Sequence, residues 1–277
     1  MRATADAIRL QGIALLGVVE RNTYLVKRYG FWELAFFLWT VANTLTVVFI
    51  AKGIEAKGGH LDVERETASL LIGAVIWSYL GIVFETITET VAWERWEGTI
   101  EYTFMAPLSR TVHLLGMGAF AVLYGVLRTA ALFAVVALFF GLAFPDANFV
   151  AALVLLAVAS VSFVGVGMVT AILPLISPEK GAQLGFIAQG MLLVVSGIYY
   201  PVEVMPGWMQ AIATVSPATY ALHGIRATVL NGAGLGEVWG DLWPLVLLGV
   251  IAIPLGLAVF RAGERYAKRH GKLKRSG

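Results

Sequence analysis

The sequence predicts an all-α membrane protein. It comprises six transmembrane helices, an N-terminal amphipathic helix, one short cytoplasmic helix and a broken helical hairpin on the outer face. Three observations lead there. Of the 277 residues 58% are hydrophobic and 14% charged, too few polar groups to cover a soluble globule of this size. Apolar runs approaching or exceeding the ~20 residues that span a ~30 Å hydrocarbon core recur along the chain. Basic residues segregate between alternate connections. There is no cysteine, and His60, His113, His223 and His270 have no ligand spacing, so disulfide, thiolate and metal chemistry find no support.

Taken in order, residues 1–30 read as an interfacial helix rather than a cleavable signal peptide, because Arg2, Asp6 and Arg9 interrupt the start and no unbroken apolar core follows until Phe31. At 100° per residue Ile8, Leu15, Val19 and Val26 share one face, and Arg2, Asp6, Arg9, Glu20, Arg21, Lys27 and Arg28 lie opposite. The spans are expected at Phe31–Ala51, Thr67–Trp93, Thr111–Phe144, Phe149–Ile176, Gln183–Tyr200 and Asp241–Arg261, within a transmembrane domain of residues 31–261. A basic tail, 262–277, follows. Arg2, Arg9, Arg21, Lys27, Arg28, Arg95, Arg110, Lys180 and the basic run from Arg261 to Arg275 fall on one side; Lys52, Lys57, Arg65 and Arg226 fall on the other. The positive-inside rule makes the first side cytoplasmic, with both termini on it, as in a multi-pass plasma or inner membrane protein.

Two connections stand out. On the cytoplasmic side, WERWEGTIEYTFMAPLSR, residues 93–110, predicts a short helix at 93–107. Glu94, Glu97 and Glu101 form its acidic face, Trp93, Trp96, Ile100 and Phe104 its apolar stripe, and Pro107 its end. An acidic face runs against the local positive bias, which suits a protein docking surface better than anionic lipid. On the outer side, residues 199–234 are apolar but interrupted by Pro201, Pro206 and Pro217 and closed by Asn231-Gly232. Two helices too short to cross, opened by Pro206 and by Pro217 with Ser216 as cap, predict a re-entrant hairpin over 201–232. Trp208 and Tyr220 supply interfacial anchors. Within the spans, Arg128 lies about 24 Å below Phe144, close to the depth of Glu85, about 27 Å below Thr67, with Glu89 deeper at about 33 Å, so pairing of Arg128 with a carboxylate of the second span is expected.

The segment ERWEGTIEYTFMAPLS, Glu94 to Ser109, resembles the coupling-helix region of type-2 ABC transporter permeases. SGIYYPVEVMPGWMQAIATVSPATYALHGIR, Ser196 to Arg226, resembles the signature that follows the fifth span in that family, with Pro201, Pro206, Trp208, Pro217, Tyr220 and Arg226 at matching offsets. The resemblance implies a permease subunit of an ABC exporter that works as a dimer, with a second copy or a homologous permease, and with ATPase subunits. The N-terminal helix would then be a connecting helix and the outer hairpin an external gate. Glu94, Glu97, Gly98, Thr99, Glu101 and Pro107 would receive the ATPase.

The chain shows no G-x-x-x-x-G-K-[ST] loop, so ATP and magnesium are expected in a separate ATPase chain and no cofactor in this one. It is not expected to be an enzyme by itself. An intramembrane hydrolase lacks the G-x-S-x-G or H-E-x-x-H pattern it would need. The competing reading is an ion-coupled secondary carrier that uses Glu85 and Glu89 as buried carboxylates. Expected partners are the ATPase, membrane lipid and a small amphiphilic substrate such as a drug, lipid-like molecule or glycan, with no nucleic acid.

Overall fold

The computed structural model describes residues 2–55 and 63–273; Lys57, His60, Lys274 and Arg275 lie outside the described residues. The described residues are helical, with no strand among them. In chain order the helices are α1 (Arg2–Arg28), α2 (Gly30–Glu55), α3 (Val63–Glu97), α4 (Ile100–Met105), α5 (Arg110–Phe140), α6 (Phe149–Thr170), α7 (Ile172–Ile176), α8 (Pro178–Val195), α9 (Gly207–Ala213), α10 (Pro217–Asn231) and α11 (Trp239–Arg269), with one 3-10 turn at Val202–Val204.

Among the described residues five stretches are long and apolar enough to cross a membrane: Gly30–Ile50, Arg65–Glu97, Arg110–Phe140, Phe149–Ile176 and Trp239–Arg269. The stretch anticipated as a span at Gln183–Tyr200 is answered by α8, an 18-residue helix that stops at Val195. It is about 27 Å long, and with Glu179, Lys180, Gln183 and Gln189 it has no stretch as long and apolar as those of the other five.

α3 is the mast of the bundle. From Thr67 to Phe84 its sequence carries no charge, as suits a helix enclosed by others, and 78% of its apolar stretch is buried against 11% for α2. At 35 residues it is about 52 Å long and overshoots a ~30 Å hydrocarbon core. Ile72, Ile76, Tyr79, Val83, Ile87 and Val91 point into the core, where they meet Leu114 and Met117 of α5 and Leu155, Phe163 and Met168 of α6. The Tyr79 ring lies over Gly125 of α5, and its hydroxyl is bonded to Ser160 of α6. One turn-set further along, Thr88 and Thr170 join α3 to α6 at 3.0 Å.

α6 and α11 pack through small residues. A Cβ on Gly165 would lie 2.5 Å from the backbone of Ala252, and one on Gly256 would lie 2.6 Å from the Gly165 carbonyl, so the two backbones approach as closely as glycine permits. In hydrocarbon, where lipid tails are as apolar as leucine, such close packing is a main source of helix association. α1 lies against α5, with Val18 and Asn22 buried and Val18 seated on Gly116, while Leu10, Ile13, Leu16 and Tyr24 stay exposed. α2 packs on α3 and α5 around a small separate core of Val48, Leu71, Leu132 and Val136.

Candidate functional site

The two connections singled out by sequence sit at opposite ends of α3. At its C-terminal end the helix continues through Trp93 to Glu97, and Gly98 at φ 73° turns the chain before α4 begins at Ile100. That left-handed backbone is open to glycine without the Cβ penalty other residues meet. The single helix expected at 93–107 is therefore two pieces, and its acidic face does not form. Glu97 and Glu101 are exposed, but Glu94 belongs to α3 and is 1% exposed. A carboxylate cannot be buried alone, and Arg21 of α1 donates to it through Nη1 at 2.5 Å. His113 Nε2 of α5 stands 3.8 Å away. The apolar stripe also divides: Ile100 is buried, while Trp93 and Trp96 are exposed.

Arg95, buried beside Glu94, donates to the carbonyls of Lys272 (Nη2) and Leu273 (Nη1, 2.7 Å), which draws the chain beyond α11 back to the end of α3. α4 is held from the other side. Arg110 donates to the carbonyls of Thr103 at 3.1 Å and Phe104 at 2.8 Å, stacks on the Phe104 ring at 4.0 Å, and engages both oxygens of Glu264 on α11 at 3.2 Å. Lys268 completes the cluster, 2.6 Å from Glu264. Pro107 lies in the exposed link before Ser109, whose hydroxyl accepts from Val112 and caps α5. The result is a corner at which Glu97 and Glu101 are exposed and Gly98 and Thr99 half-buried, fastened by charged bonds to α1, α5 and α11.

At the N-terminal end of α3, the prolines mark the helix starts that the sequence predicted. Pro206 is the residue before α9, Pro217 is the first residue of α10, and Gly232 closes α10 in the left-handed conformation at φ 68°. The serine cap is a correction: Ser216 makes no bond to the helix start, and its hydroxyl meets that of Ser196 at 2.7 Å, both buried. Pro201 precedes the 3-10 turn. Trp208 is exposed, whereas the Tyr220 hydroxyl donates to the Thr214 carbonyl at 2.7 Å, linking α10 to the end of α9.

Arg226 is the bolt at this end. Its Nη2 donates to the carbonyls of Ile198 at 2.8 Å and Ser69 at 3.3 Å, joining α10 to the turn after α8 and to the start of α3. Gly73 makes room for it, since a Cβ there would lie 2.5 Å from the Ile198 oxygen and 3.0 Å from Arg226.

The intramembrane pair is corrected. Arg128 does meet a carboxylate, but it is Glu33 of α2, at 3.5 Å, and not Glu85 or Glu89. Tyr124, four residues earlier on α5, donates to Glu33 and accepts from Arg128 at 3.1 Å. Glu85 instead faces Gln189 of α8, and Glu89 is exposed. Depth alone misled because α2 also carries a carboxylate, at its first turn, and α5 turns Arg128 toward α2.

Arg21, His113, Arg110 and Glu264 escaped sequence reading because their partners lie far along the chain: Arg21 and Glu94 are 73 residues apart, Arg110 and Glu264 154. The available signal was weak: Glu264 is the one acidic residue in the basic last turns of α11, among Arg261, Arg265, Lys268 and Arg269.

Residues 23–230 match the family model of the ABC-2 type transporter. Over 207 residues, 73% of this chain, it is 27% identical to the "Probable multidrug ABC transporter permease YbhR" of Escherichia coli K12 and covers 54% of that protein. It is 30% identical over 115 residues to the linearmycin resistance permease protein LnrN of Bacillus subtilis, covering 42% of this chain and 30% of that one. With the daunorubicin resistance ABC transporter permease protein DrrB1 of Streptomyces coeruleorubidus it shares 34% over 86 residues, 30% of each chain. The matched part of this chain spans about half the length of YbhR and less of the other two. With an ABC-2 match that takes in every membrane-crossing helix but the last, the chain belongs to the ABC-2 type transporter permeases, a family of multi-pass membrane proteins.

Proposed function

We propose that this chain is the permease subunit of an ATP-driven exporter. A separate ATPase subunit, which carries the ATP and magnesium, drives it, and a second permease copy completes the path. The observation that carries the reading is the corner at Glu97, Gly98, Thr99 and Glu101, with both glutamates exposed. A motor on a separate chain can act only through contacts that differ between two states of the permease. A push on α4 at this corner is handed to α5 and α11 by Arg110 and Glu264, and to α1 by the Glu94–Arg21 bond at the end of α3. Glu94, enclosed, positions the corner, and Glu97 and Glu101 face the motor.

In this reading α4 and both termini are cytoplasmic, which the segregation of basic residues supports, and α8 with the α9–α10 hairpin forms the fifth crossing and an external gate. Arg226 anchors the gate to α3. The substrate is an amphiphilic compound; relatives named for multidrug, linearmycin and daunorubicin resistance support a drug-like molecule.

The test is Glu97→Lys with Glu101→Lys in the complex reconstituted with its ATPase. Docking predicts lost assembly, or ATP hydrolysis that no longer responds to drug, with normal membrane insertion. Wild-type assembly and drug-stimulated hydrolysis would overturn the role of this corner.

A further inference from the structure

Between α3, α5, α6 and α10 lies a crevice of about 170 Å³ whose wall carries one polar side chain, Thr129. Ile72 and Ile76 of α3 and Leu156 of α6 form its inner side, while Ala130 of α5 and Leu153 of α6 are exposed at its rim, so it opens sideways from the bundle. Val229 is shared with a second pocket of about 230 Å³, lined by Arg65 and Asp146 among others. An apolar chamber thus adjoins one that holds both signs of charge. Along α3, Ile72 and Ile76 follow Arg65 by about 10 Å and about 16 Å of helix. One leaflet of a ~30 Å hydrocarbon core is ~15 Å deep.

We propose that the two chambers together bind one phosphatidylethanolamine molecule, with its phosphate at Arg65, its ammonium at Asp146 and one acyl chain in the crevice. The spacing is that of a headgroup above a chain that runs the depth of one leaflet. The volume fits the apolar part: a dry cavity of ~150 Å³ accepts a benzene-sized group, so 170 Å³ takes a stretch of one acyl chain. The charges set the head. A guanidinium is a strong phosphate partner, and Asp146 offers the ammonium a counter-charge that an anionic headgroup could not use. Arg65 Nη2 donates to Asn231 Oδ1 at 2.9 Å, which orients the guanidinium. Asn231 is the last residue of α10, so the lipid would brace the hairpin against α3, α5 and α6. This assignment is independent of the export reading.

The test is native mass spectrometry of the full chain from detergent micelles, supplied with palmitoyl-oleoyl phosphatidylethanolamine or the matching phosphatidylglycerol. The wild-type protein should retain one phosphatidylethanolamine, with about tenfold preference over phosphatidylglycerol. Ala130→Trp at the exposed rim should cut retention of both lipids about tenfold, Arg65→Gln should do the same, and Asp146→Asn should abolish the preference. If Ala130→Trp fails to give a monodisperse protein, Leu153→Trp fills the rim from α6. Equal retention of the two lipids by the wild type, or retention unchanged in both the rim-filling and Arg65→Gln variants, would overturn the site. One-for-one displacement of the lipid by a transported drug would also overturn it, by making the crevice part of the substrate path.

Discussion

Replacing Arg21 by alanine tests how the end of α3 is fastened. Glu94 Oε1 accepts from Arg21 at 2.5 Å, and its carboxylate is otherwise enclosed, with Oε2 lacking a hydrogen-bond partner and His113 Nε2 at 3.8 Å. Removing one member of a buried ion pair costs ~3–5 kcal/mol because the other is left uncompensated. Arg21 is itself 40% exposed, so water screens part of that interaction, and about 2 kcal/mol is the reasoned figure. Because α1 meets the bundle chiefly through α5, the loss should appear as local release of α1 rather than global unfolding. Hydrogen exchange in micelles should then show amides of α1 around Val18 and Asn22 exchanging about 30-fold faster, the ratio that 2 kcal/mol gives. Glu94→Gln alone should cost less, since the amide oxygen still accepts from Arg21. Arg21→Ala combined with Glu94→Gln should recover most of the loss, as the stranded charge is gone. Protection of α1 within threefold of wild type in Arg21→Ala, or strict additivity in the double variant, would refute the reasoning.

The same logic applies elsewhere in the bundle. Glu33→Ala strands Arg128 among α2 and α5 and should lower the thermal midpoint more than Glu33→Ala with Arg128→Met, which removes both charges; the order of the two midpoints is the check. Gly73→Ala drives a methyl against the Ile198 carbonyl at 2.5 Å, a backbone atom that cannot rotate away, and should cost ~1–3 kcal/mol in denaturant unfolding. Arg226→Met removes two bonds to carbonyls from a charged donor and should cost ~1.5–3 kcal/mol, read as faster proteolysis between α9 and α10 while cleavage elsewhere is unchanged. Arg110→Lys keeps the charge but not the planar fork that holds Thr103, Phe104 and Glu264 together, and should loosen α4, seen as increased mobility of a spin label at Tyr102.

Membrane class, most of the helix positions and the family were legible in the chain because each is written in local pattern. A run of apolar residues tends to form a helix in hydrocarbon, where no water satisfies a free backbone group, so composition places five of the six expected spans. Pro206, Pro217 and Gly232 punctuate the hairpin through steric rules that act on one or two residues, and the structure finds them at those places. Local pattern failed where a side chain chooses among distant partners. Helical periodicity put Glu94 on a common face with Glu97 and Glu101, but the turn at Gly98 breaks the period, and burial against α1 and α5 assigns Glu94 to Arg21. Depth matched Arg128 to Glu85, yet depth leaves the direction around the helix open, and the packing of α5 on α2 chose Glu33. Ser216 reads as a cap, and tertiary contact with Ser196 overrides it. The chain by itself determines which segments are apolar enough to be helices, because a backbone in a medium without water must bond internally, but where each helix ends was settled in the fold, as the turn at Gly98 and the stop at Val195 show. Which charges face each other is decided only in the packed bundle, where the cost of an unpaired ion binds residues far apart in sequence.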